Sequence, residues 1–207
     1  MRYRFFLSIL FLGSLLGACT PKTQGPLPIM GERTVSPSGD TLFHTIPDFT
    51  FVDQDSNRVT AATFADKVYV ADFFFTTCPS ICPKMSQQMV RLHDAFIDRP
   101  EVVLLSHSID PTHDTVAVLR EYAQALAVKS HKWHLVTGDE DDIYDMARAY
   151  MVSAMRDENA PGGYVHSGAF ILVDKDRRIR GYYDGTKTEE VDQLMADIDR
   201  LLAEYGE

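Results

Sequence analysis

The chain has 207 residues, 45% of them hydrophobic and 24% charged, and carries a formal net charge of −10. That is enough length and apolar content for one domain with its own core, which excludes a disordered or collagenous chain. So acidic a body repels phosphate backbones and anionic lipid, which excludes nucleic-acid binding and suits a basic partner or plain solubility.

Residues 1–18 are expected to form a signal peptide. Met1-Arg2-Tyr3-Arg4 is a basic opening, and Phe5 to Leu16 is an apolar run of twelve residues, short of the roughly 20 that span a bilayer. Leu16-Gly17-Ala18-Cys19 resembles the bacterial lipobox, in which the cysteine becomes the lipid-modified first residue. The expectation is a protein of the bacterial cell envelope, lipidated at Cys19, with its domain outside the cytoplasm. Cleavage removes two positive charges, Arg2 and Arg4, and no acids, which takes the formal charge from −10 to −12. Lipidation also accounts for an odd cysteine count in an exported protein, leaving Cys78 and Cys82 as a pair.

Residues 19–45, rich in Pro, Gly, Ser and Thr without a sustained period, are expected to be a flexible tether, with the domain occupying 46–207. Phe49 to Val52 alternates like a strand, Asp53 to Asn57 reads as a turn, and Arg58 to Thr60 as a short return strand. Val68 to Phe75 is a nearly continuous apolar and β-branched run, the pattern of a central strand buried on both faces, with Asp72 as a lone carboxylate inside it. Asp72 is either a strand-end polar group facing a cavity or a buried carboxylate near the thiols. Helical spacing follows from Ser86 to Ile97, ended by Asp98-Arg99-Pro100. Val102 to Ile109 is a second buried strand. Thr115 is placed to cap a helix whose stripe is Val116, Leu119, Tyr122, Ala123 and Leu126. Trp133 to Val136 is a short strand, and a helix starts at Asp139 or Glu140. Met151 to Tyr164 is expected to be irregular, turning at Pro161-Gly162-Gly163. A strand from Ser167 to Val173, a turn at Asp174–Arg177, a strand from Ile179 to Tyr183 and a helix from Thr188 to Glu204 close the chain. This order predicts an α/β, thioredoxin-like fold: a central mixed sheet flanked by helices, with an N-terminal β-hairpin extension.

Chemistry concentrates in Phe73 to Met85, FFFTTCPSICPKM. With a helix from Pro79 onward, Cys78 and Cys82 would share one face at i and i+4. A helix start lowers thiol pKa, and the thiolate is both metal ligand and redox nucleophile, so position alone leaves both roles open. Three residues lie between the cysteines, one more than in the usual thioredoxin-like redox motif. A structural staple is disfavoured, because so short a crosslink constrains little of the unfolded chain. Two thiolates with an imidazole make a set selective for copper. Of seven histidines, His44 lies in the tether, His93 is too far along its helix, His107 reads as a core residue, and His113, His131 and His134 sit at surface turns. His166 follows the glycine-rich loop and precedes a strand expected beside the cysteine strand, so it is the candidate third ligand. Met85 and Met89 offer thioethers but read as packing.

TTCPSICPKM, SIDPTHDT at 108–115, and His166-Ser167 before an apolar strand together resemble the Sco/SenC copper-chaperone family, over about residues 44 to 204. The resemblance implies a thioredoxin-like fold and binding of Cu(I) or Cu(II) through Cys78, Cys82 and His166. It also implies assembly of the copper A centre of cytochrome c oxidase, by copper delivery or by reduction of that centre's cysteines. Partners implied are the copper A-bearing subunit and other exported copper or thiol-redox proteins. Asp110 is expected either to orient a ligand or meet the partner, or to cap the turn into the next helix. Many relatives carry an acid just before the histidine, where this chain has Val165. The competing expectation is a thiol–disulfide oxidoreductase cycling Cys78 and Cys82. A peroxidase-like thiol enzyme is weaker, because no activating arginine is evident near the thiols.

Overall fold

The structure, a computed structural model, describes residues 25–206. At its centre lie β5 (Val68–Phe74) and β6 (Val102–Ser108), buried along their whole length and paired in parallel. The run of β-branched and aromatic residues in both suits a strand covered on two faces. The crossover between them is α1 (Cys82–Ala95). A second crossover, α2 (Val116–Ala125), leads to β7 (Trp133–Thr137), which is parallel to β6. Thr115 caps α2 by accepting from the Val118 N–H. Asp139 caps α3 (Glu140–Ala149), whose first turn is acidic and complements the helix dipole.

On the far side of β5, β10 (Ala169–Val173) pairs antiparallel, and β11 (Ile179–Asp184) returns beside it before α4 (Thr188–Glu204). On the opposite edge, the hairpin of β3 (Thr50–Asp53) and β4 (Arg58–Thr60) joins through β3 to β7. The seven-stranded order is β11-β10-β5-β6-β7-β3-β4. Side chains alternate along β5. Phe74 stacks on Tyr122 of α2, whereas Phe73 meets Tyr150 at the end of α3. Helices α1, α2 and α4 therefore cover one face and α3 the other.

Two expectations need correction. Residues 151–164 are not wholly irregular: β8 (Ala154–Arg156) pairs with β9 (Tyr164–His166) as a small antiparallel ribbon. From Gly25 on, the segment expected to be a free tether lies against the body. Leu27 is buried, its N–H donates to Glu204, and its carbonyl accepts from the Arg180 guanidinium. The Met30 N–H reaches the Ile179 carbonyl, and β1 (Arg33–Val35) with β2 (Thr41–Phe43) forms a further hairpin. Arg180, buried between Asp174 and Glu204, ties this strap to the start of β11 and the end of α4. His44, expected within the tether, hydrogen-bonds the Ala149 carbonyl at 2.7 Å. Among the described residues no helix is long and apolar enough to cross a membrane. Cys19 and residues 1–18 lie outside the described residues.

Candidate metal centre

Strand β5 ends at Phe74, and the chain turns back on itself, with the Cys78 N–H on the Phe75 carbonyl at 3.2 Å. Helix α1 begins at Cys82 with Pro83 in its first turn, where a missing N–H costs nothing. The thiols are therefore not i and i+4 on one helix, as the spacing suggested. Cys82 opens the helix, and Cys78 stands in the loop before it, folded back over the helix end. Both are free thiols and both are buried.

His166 comes from the last position of β9. Its Nδ1 lies 3.0 Å from the Ser167 carbonyl, which can only accept, so Nδ1 carries a proton and donates it there. Nε2 points at the sulfurs, 3.2 Å from Cys82 Sγ and 4.0 Å from Cys78 Sγ. The three donor atoms all lie within 4.8 Å of one another. Three donors around one ion at roughly 2.2 Å would stand about 4 Å apart, so little adjustment separates this arrangement from a coordination site. The donor set is soft and suits a copper, zinc or similar ion.

The two sulfurs are unequal. Burial resists ionisation of Cys78, but bonds from His166, Ser80 and the backbone outweigh it and bring the thiol down to about 6. Burial pushes Cys82 well up, reinforced by its neighbour Cys78 and by the charge of Asp72. Asp72 is a buried carboxylate on the thiol side of β5, raised to about 6 by burial although Ser106 donates to it. Of its two expected placements, this is the one beside the thiols.

Several supports were not legible beforehand. Phe75 is buried with its ring 5.2 Å from Tyr164 and 5.8 Å, edge-on, from His166, so it wedges the loop against β9. Tyr164 donates to Asp110 at 2.8 Å, which ties Asp110 to the histidine ribbon, while the Asp110 carbonyl also accepts from His113 in the turn. Asp114, fully buried, accepts from the Thr76 N–H and hydroxyl and from Ser108, clamping the 108–115 turn to the loop that carries Cys78. The pairing of TT before the first cysteine with a second acid in that turn was the only signal for it.

Other candidates fall away. Met85 and Met89 are core residues. His93 is buried and accepts from the Lys129 N–H, and His134 bonds Asp53. His107 stacks on Phe73 at 4.9 Å, and burial lowers it to about 3. His113 bonds Asp114, and His131 is exposed. Val165, in the place where many relatives have an acid, is exposed.

The SCO1/SenC family model matches residues 38–203. A SCO1/SenC family lipoprotein from Bacillus anthracis is similar at 27% identity and a TM-score of 0.70, over 76% of this chain and 95% of that one. BsSco, described as having a disulfide switch and as a member of the Sco family of cytochrome c oxidase assembly proteins, is similar at 26% identity and a TM-score of 0.67, over 76% and 93%. Arabidopsis thaliana ScoI, solved with copper bound, is similar at 27% identity and a TM-score of 0.63, over 76% and 98%.

Proposed function

The chain belongs to the SCO1/SenC family, and from that premise we propose that it is a membrane-anchored copper chaperone for the copper A centre of cytochrome c oxidase. The observation that carries this reading is the convergence of Cys78, Cys82 and the Nε2 of His166. Copper is the cargo: the two thiolates and the imidazole would hold one ion, Cu(I) or Cu(II), and leave room for an incoming ligand. His166 is half-buried and reaches the sulfurs from a short ribbon, so it is the ligand best placed to detach as a partner's ligands enter. The partner is the copper A-bearing subunit of the oxidase, with other exported copper or thiol-redox proteins as further acceptors or donors. The relative solved with copper and the relative described as an oxidase assembly protein support this. The lipobox-like Cys19 and a relative described as a lipoprotein support a lipid anchor in the cell envelope, with residues 1–18 as the signal and a copper domain that takes in, besides 46–207, the strap from Gly25.

Copper titration of the reduced protein tests it. One ion binds, with a sulfur-to-copper charge-transfer band for Cu(II), and binding drops strongly in His166→Ala. Binding equal to that of a Cys78→Ser, Cys82→Ser variant ends the copper reading.

The inequality of the thiols favours a second reading, a thiol–disulfide oxidoreductase. Thiolate Cys78 attacks one sulfur of an oxidised partner disulfide and expels the other as thiol. Cys82 then resolves the mixed disulfide, releasing the reduced partner and leaving Cys78–Cys82 oxidised. The disulfide switch described for BsSco supports it. Turnover on an oxidised copper A domain should then survive His166→Ala; its loss while copper binding persists would exclude a purely redox role.

A further inference from the structure

Beside the metal centre lies an open cavity of about 670 Å³, bordered by Met30, Met151, Val152, Val165, His166 and Tyr182 among others, with no charged side chain on its wall. Two of its features are unusual. Met151 adopts φ 56 at the position just past α3, where the Val152 N–H closes on the Ala147 carbonyl at 3.0 Å. That left-handed position normally takes glycine, and a longer side chain there is strained. Burial does not offset the strain, because Met151 remains 43% exposed. Gly31, at φ 93, makes room for it: a Cβ there would lie 3.2 Å from the Met151 Cε. Met30 lines the same cavity from the N-terminal strap, and His166, whose Nε2 faces the thiols, borders it too.

We propose that the cavity is a second, weaker soft-cation site, in which the thioethers of Met30 and Met151 bind Cu(I) one step away from the thiol pair. Thioether sulfur is a soft, neutral donor that favours Cu(I) over harder ions. A wall without charges tolerates a monovalent ion far better than a divalent one, because desolvation cost grows steeply with charge. Passage is ligand exchange: a copper–thioether bond forms as a copper–thiolate bond breaks, the ion stays Cu(I), and no electron moves. The role as a way-station rests on the copper reading above; the site itself does not.

Ag(I) is a redox-inert probe of the same charge and softness. In the full-length protein with methyl-labelled methionine, the first equivalent goes to the thiols. The second shifts the methyl signals of Met30 and Met151 and leaves those of Met85 and Met89 in place. Met30→Leu with Met151→Leu keeps the first equivalent and weakens the second at least tenfold. A second equivalent that binds the leucine variant undiminished, or that leaves both methyl signals unmoved, overturns the thioether site. Methionine shifts in a wild type that fails to load its thiols uphold this site and sink the copper reading instead.

Discussion

At His166 one hydrogen bond decides what one atom can do. The Ser167 carbonyl holds a proton on Nδ1, so Nε2 is the ring atom turned to the sulfurs and available to a metal. His166→Ala removes one of three donors and should weaken Cu(I) binding about 100-fold, or about 2.7 kcal/mol, in a competition titration against a chromophoric chelator. The unequal thiols make a second test. Cys78 is lowered to about 6 and Cys82 raised, so at pH 7.5 Cys78 is already ionised and Cys82 is the thiol that must give up its proton to copper. Below about pH 6 both thiols are protonated, and uptake should release about one proton more per ion than at pH 7.5, read as acidification of a weakly buffered solution. Asp72 adds a stability term. Its folded pKa of about 6 exceeds the unfolded value near 3.8, so the folded protein binds the extra proton. Its contribution is present at low pH and lost as pH rises through about 6, a change of about 3 kcal/mol. His107, lowered to about 3, works in the opposite sense over the same range, so the comparison must be with wild type. Urea denaturation of Asp72→Asn should show a stability gain over wild type of about 2 to 3 kcal/mol at pH 7 that vanishes near pH 3.5.

At the scale of elements, the β8–β9 ribbon matters most, because it aims His166 and was least legible. Its strands are three residues each, half-exposed, and too short to alternate, and the polar run between them reads as loop. By contrast β5, β6 and α4 were legible because long apolar runs and a sustained helical stripe leave few alternatives. Cys78, Cys82 and His166 were legible as chemistry, but not the fold-back that joins the thiols, since nothing in CPSICP marks where the helix starts. Nor did pattern reveal Asp114: a buried acid satisfied by Thr76 and Ser108 leaves no periodic trace. The ribbon's vulnerable point is Gly162, at φ 82, where a Cβ would lie 2.8 Å from the Phe75 ring and 3.2 Å from Pro79. Gly162→Ala should push Phe75 off the loop and destabilise the domain by roughly 1 to 3 kcal/mol in thermal or urea unfolding. Copper affinity should fall with it, because Phe75 spaces Tyr164 and His166 from the cysteine loop.

For the whole molecule, the strap from Gly25 is held by a buried guanidinium whose partners are Asp174, Glu204 and the Leu27 and Pro28 carbonyls. The strap was missed because its grip is backbone carbonyls on a distant arginine, with hairpin residues such as Val35 and Leu42 facing outward. Removing one member of such a buried set leaves charges uncompensated, so Arg180→Ala should cost roughly 3 to 5 kcal/mol in urea unfolding and expose residues 25–31 to limited proteolysis. The strap enters beside Ile179 and Glu204, at the end of the sheet opposite Phe74 and the thiols. Six peptide steps separate Cys19 from Gly25, a reach of at most about 20 Å. The seven residues of β5 add roughly 23 Å along the strand. With the proposed lipid at Cys19, the domain would be moored by its base, and its thiols could stand no more than about 45 Å from the bilayer. Altitude then becomes a selector: only an acceptor whose copper loops stand at that height can be served, whatever its chemistry. Inserting about twenty Gly-Ser residues before Gly25 should relax that restriction, letting shorter and taller acceptors compete equally in vesicles.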